Sequence, residues 1–196
     1  MPNETLSACI LGRWGATIGD PHLMGWLTVV LFALVAVLAL AVLRRRGGAG
    51  ARGFWIVIAA TMAFLAVNKQ LDLQSALTAA GRCIALAQGW YDDRRPVQIA
   101  FVAALLAAAP VVLWLAARML RGRLRAHGVA LVGLVFVCAF VLVRAIGFHG
   151  TDALIDLRWH GVRMNWVLEW TGPLLIAANA LWLLRRCPGS TGQTRS

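Results

Sequence analysis

Asn68, Lys69 and Asp72 fall within five residues of one another at the end of a long apolar run. Arg144 ends a second such run, and Asn165 with Glu169 opens a third. Ionisable groups at bilayer depth cost several kcal/mol unless paired or wetted, so they mark where function is sought. Asn68 and Asp72 are four apart and share a helical face, as do Asn165 and Glu169. The charges balance, Lys69 and Arg144 against Asp72 and Glu169. Beyond Arg144 come His149 and Asp152, three apart, with His160 and His22 expected on the same side.

Three chemistries are open to this set. Two ion pairs with amide partners can lock helices together and hold a lipid-like ligand or a protein partner, since buried charges persist when paired. His149 oriented by Asp152 can act as general base while Arg144 or Lys69 binds an anionic head group. Asp72 and Glu169 can carry protons or ions. His22, His149 and His160 with a nearby carboxylate offer weak metal candidates, although none stands at a His-x-x-x-His or Glu-x-x-His spacing. No recognisable motif implies a cofactor.

The elements that position these residues follow from composition. The chain has 196 residues, 60% of them hydrophobic. A helix of roughly 20 apolar residues crosses a bilayer. Five segments qualify: Leu23–Leu43, Phe54–Leu73, Val97–Ala117, Gly128–Phe148 and Asn165–Leu184. Membrane strands would alternate apolar and polar residues, which these runs do not. The expected fold is therefore an all-α integral membrane protein with five spans. Residues 1–22 form an outer tail, 23–184 the membrane domain and 185–196 a cytoplasmic tail. Pro110 interrupts the backbone bonding of the third span.

Two short amphipathic helices are expected on the outer face. One runs from Leu73 to Gln88, with Leu73, Leu77, Ala80, Ile84 and Ala87 recurring at helical spacing and Gly89 ending it. The other covers Asp152 to His160. Measured along each span from its inner end, Asn68 lies about 21 Å up, Asp72 about 27 Å, and Arg144 and Glu169 about 24 Å each. A hydrocarbon core of about 30 Å contains all four.

The net charge of +11 sets orientation. Arg44, Arg45, Arg46 and Arg52 follow the first span; Arg118, Arg121, Arg123 and Arg125 follow the third; Arg185, Arg186 and Arg195 follow the fifth. None of the eight acidic residues falls in those segments. Arginine excess in short loops marks the cytoplasmic face, which places the N-terminus outside and the C-terminus inside a bacterial inner membrane. These loops lack interleaved aromatics that could stack on bases, so nucleic acid is excluded as a partner. The expected partners are the lipid bilayer and a membrane protein or second copy of the chain. Most of the nine tryptophans fall near the two interfaces, as an aromatic belt requires.

The first twenty residues have neither the basic start nor the apolar core of a signal peptide, so the first span is expected to direct insertion. Cys9 and Cys83 share the outer, oxidising side and form a disulfide candidate; Cys138 lies inside the fourth span and Cys187 in the cytoplasmic tail.

The pattern Arg144-x4-His149-x2-Asp152, with Arg95-Pro96, resembles a fragment of the type-2 phosphatidic acid phosphatases, in which Arg, His and Asp hold a phosphate and activate the histidine. That family spaces the three residues more widely and adds a Ser-Gly-His element that this chain lacks. The activity is not carried over.

Overall fold

In α2 Gly25, Thr28, Phe32, Val35, Ala39 and Val42 are buried at spacings of three and four residues, with Ala36 buried beside them. Three other helices repeat that spacing: Trp55, Ile58 and Met62 in α3; His127, Ala130, Leu134 and Val137 in α6; Glu169, Pro173, Ile176, Ala180 and Leu183 in α7. This spacing is that of a seam in which ridges of one helix pack into grooves of the next. Around that seam the computed structural model is a helical bundle. It describes residues 5–14, 23–46, 51–71, 73–89, 91, 94–147, 158–159 and 162–186.

The elements are α1 (Leu6–Arg13), α2 (Leu23–Arg46), α3 (Arg52–Leu71), α4 (Leu73–Ala87), α5 (Arg94–Met119), α6 (Leu124–Gly147) and α7 (Met164–Arg185). Among the described residues four helical stretches are long and apolar enough to cross a membrane: Leu23–Arg45, Arg52–Leu71, Val102–Met119 and Leu124–Arg144. The expected fifth span corresponds to α7, a helix of 22 residues.

Packing runs in an arc. α3 lies against α2, α2 against α7, α7 against α6 and α6 against α5, while α5 touches α3 only lightly at the far end of the arc. α6 and α7 approach each other closely. A Cβ on Gly133 would stand 2.7 Å from the carbonyl oxygen of Gly172, and one on Gly172 would stand 2.8 Å from that of Gly133. Small residues at such a crossing let membrane helices gain dispersion contacts that the bilayer cannot supply. α5 is the outlier. Within Val102–Met119 only Ala116 is buried, and Leu120 is buried just beyond it, so the helix is held by the end nearest the α5–α6 turn. Gly122, at φ +76°, provides the left-handed residue of that turn.

On the opposite side from the arginine-rich turns, α1 packs on α4. The helix expected from Leu73 onward is present, and Gly89, at φ +75°, follows its last turn. Cys9 and Cys83 are bonded across the two helices, with Cα atoms 6.1 Å apart. α1 covers the Ala79 and Cys83 side of α4, leaving Leu77 and Ile84 of the expected apolar face exposed. Of the second expected surface helix, Asp152 to His160, only Arg158 and Trp159 are described. They pair antiparallel with Val162 and Arg163 as a two-residue ladder instead of continuing as helix.

The bridge joins residues 74 apart. In non-reducing electrophoresis after thiol alkylation, Cys9 and Cys83 should both resist labelling until reductant is added. Labelling of Cys83 in intact cells without reductant would contradict the bridge. Loop closure of this length is worth at most about 4 kcal/mol. Two intervening helices that stay inserted when the cap opens reduce that figure.

Candidate functional site

Lys69 ends the buried stripe of α3, and Glu169 begins that of α7. Their side chains meet, Lys69 Nζ donating to Glu169 Oε1 at 3.0 Å. The two are 16% and 4% exposed, so the pair is held largely away from solvent-accessible surface. At this depth the alternative to pairing is a lone desolvated charge, which explains why the contact is made directly. α3 packs mainly on α2, and this pair ties it to α7 as well.

Pro173 stands one helical turn after Glu169. Having no backbone N–H, it leaves the carbonyl of Glu169 without its usual intrahelical donor. The same turn contains Gly172, at the α6 crossing. Next to Glu169, Trp170 Nε1 donates to Thr28 Oγ1 at 2.9 Å, and that hydroxyl donates in turn to the carbonyl of Met24, also at 2.9 Å. α2 thus joins the polar layer through a residue that sequence reasoning passed over.

The other expected members divide. Asn68 is half-buried on α3, and Gln70 places both side-chain amide atoms out of solvent with no hydrogen-bond partner among the described residues. Arg144 is exposed on α6. Asn165 lies in the first turn of α7. Asp72, His22, His149, Asp152 and His160 lie outside the described residues, so the His149–Asp152 acid–base pair is not part of the described geometry. Among the described residues no group of three His, Cys, Asp or Glu side chains could hold a metal ion.

A second polar cluster sits toward the arginine-rich end. His127, 1% exposed, accepts a hydrogen bond at Nδ1 from Trp55 Nε1 at 3.3 Å, and its ring meets Phe54 and Trp55 edge-on. One residue earlier, the carbonyl of Ala126 accepts from Asn179 Nδ2 at 2.9 Å. The Asn179 Oδ1 is buried without a partner among the described residues. Trp55 is therefore a buried donor at a helix seam. Trp114 and Trp182 are exposed, each beneath an arginine guanidinium, Arg118 at 5.3 Å and Arg186 at 3.6 Å.

Sequence reasoning also passed over His127. A signal existed: it precedes Ala130, Leu134 and Val137 by three, seven and ten residues, on their stripe. Between the two clusters Ile58, Met62, Leu134 and Ile176 are fully buried and form an apolar layer.

Compared with protein-family models, with curated proteins and with solved structures, the chain matches none.

Proposed function

We propose that the protein is a non-catalytic component of a bacterial inner membrane that holds a lipid-like ligand at a polar layer in the outer leaflet. In this reading α2, α3, α5, α6 and α7 all span the membrane, the arginine-rich turns face the cytoplasm, and the disulfide-linked α1 and α4 rest on the outer face. The positive-inside bias of the turns and the cysteine pair at the opposite end both support that orientation.

The observation that carries the reading is a contrast within one layer. Lys69 and Glu169 neutralise each other at 3.0 Å and fasten the bundle, while Arg144, at about the same height by helical rise, is exposed. The outer half of α5 buries none of its described side chains, so α5 leaves the flanks of α3 and α6 open to lipid there. An arginine in that setting offers a planar, permanently charged donor set suited to a phosphate or carboxylate head. The apolar layer between the two polar clusters disfavours a proton path in this conformation.

Two measurements test this. A reporter fused at Ser196 should be active only when it is of the cytoplasmic kind; a working periplasmic reporter there would end the five-span orientation. Protein extracted gently and weighed by native mass spectrometry should retain an anionic lipid-like molecule, and Arg144→Gln should lose it with unchanged thermal stability. Retention by Arg144→Gln would refute the ligand role. A stoichiometric protein in place of lipid would make the layer a docking element, and proton flux into liposomes abolished by Glu169→Gln would make it a transport path.

A further inference from the structure

The seam between α3 and α5 is the weakest in the arc, and near the arginine-rich end it holds an apolar crevice. Phe54 and Val57 of α3 and Val112, Leu115, Ala116 and Met119 of α5 line it. Phe54 and Ala116 form a buried floor, while Val112, Leu115 and Met119 are exposed walls. Met119 Sδ would stand 3.3 Å from a Cβ on Gly53, so the glycine lets the methionine close one end. By helical rise the crevice begins about 3 Å from Arg52 and extends for roughly 10 Å along α5.

The charge around it is of one sign. Arg52, Arg118, Arg121, Arg123 and Arg125 are all exposed at this end, and residues 44–52 and 118–125 contain no acid. Arg118 lies over the exposed Trp114 ring, one residue from Leu115 of the crevice wall. A narrow apolar slot opening beside a cluster of arginines matches an acyl chain below an anionic phosphate.

We infer that the α3–α5 crevice binds an anionic phospholipid of the leaflet on the arginine-rich side, its acyl chain against Phe54 and Ala116 and its head group on Arg118 and Arg121. A transmembrane helix is a poorer occupant, because its diameter of about 10 Å needs a wider groove than these six residues make. A second copy is poorer still, since it would bring its own arginines against these. The bound chain fills the seam that α5 leaves open and so fastens α5 to α3. This site is separate from the polar layer at the other end, and its variants leave Arg144 untouched.

The test compares thermal midpoints of the full chain in phosphatidylglycerol and phosphatidylcholine vesicles. Wild type should melt roughly 5 °C higher in phosphatidylglycerol. Val112→Phe, which fills the slot from an exposed wall, should keep the phosphatidylcholine midpoint and lose the gain. Arg118→Gln with Arg121→Gln changes only exposed side chains and should also lose most of it. Equal midpoints for wild type in the two lipids would overturn the inference. So would a gain that survives either variant, or a dimer in phosphatidylcholine that Val112→Phe dissolves, which would assign the crevice to a second copy.

Discussion

Glu169→Gln should destabilise the protein by about 3 kcal/mol while leaving its helix content unchanged. The substitution keeps the shape of the side chain but removes the charge that Lys69 Nζ meets at 3.0 Å. Glu169 is 4% exposed, so water cannot replace it, and breaking a buried pair typically costs about 3–5 kcal/mol. The lower end applies because Lys69 is 16% exposed and its long stem can carry the ammonium toward the interface. The double variant Lys69→Met with Glu169→Met should recover part of the loss, since replacing both charges removes the desolvation cost as well as the attraction. Thermal unfolding of the single and double variants in one detergent measures the coupling. If the double variant is no better than the single, the pair is not what joins α3 to α7.

Gly133→Ala should be at least as damaging, although it adds a single methyl group. That carbon would lie 2.7 Å from the Gly172 carbonyl oxygen and 3.2 Å from the Ile176 backbone nitrogen. Backbone atoms in a packed helix cannot swing aside as a flexible side chain can, so α6 and α7 must separate along their crossing. Overpacking costs about 1–3 kcal/mol where side chains yield, and this case belongs at or above the upper end. Gly172→Ala meets the same obstacle from the other side, 2.8 Å from the Gly133 carbonyl. Gly128→Ala on the same helix is the control. Nothing lies within 4 Å of its added carbon, so it should be neutral or gain up to about 1 kcal/mol from helix propensity. Equal midpoints for Gly128→Ala and Gly133→Ala would show that the close crossing does not hold in the membrane.

Both variants at the α6–α7 seam also bear on the proposed ligand site, because Gly172 and Pro173 follow Glu169 within one helical turn. A shift of α7 there moves the carboxylate relative to Lys69. Loss of stability at Gly172→Ala together with retained ligand at Arg144 would separate fastening from binding within the polar layer.

Apolar length and arginine placement, both local properties, already located the long helices. The α3 boundary, Arg52–Leu71, falls within two residues of the segment expected from Phe54 to Leu73, and α4 follows where its helical spacing and Gly89 place it. Lys69 and Glu169 were legible as members of a charged layer because charge at bilayer depth stands out against any apolar background. Which cation meets which carboxylate was not legible. Lys69 and Arg144 lie at similar heights, and α6 is the direct neighbour of α7, so it is the way each helix is turned that brings Lys69 to Glu169 and leaves Arg144 exposed.

The buried face of each helix was equally hidden. In α2, Leu27, Val30, Leu34 and Val37 are exposed and Thr28, Phe32, Val35 and Ala39 are buried. Both sets have the same spacing and nearly the same polarity, because lipid is as apolar as the protein interior and leaves no hydrophobic contrast to read. What distinguishes the inner face is smaller residues that allow close approach and a few polar groups that find partners across it. Thr28, His127 and the Gly133–Gly172 pair all belong to that class. Sequence alone therefore determined the long apolar helices, their arginine-rich ends and the existence of a charged layer, which depend on local composition. Tertiary structure decided the partners of those charges, the second cluster at His127 and the weak seam at α5, because each depends on which helix faces which.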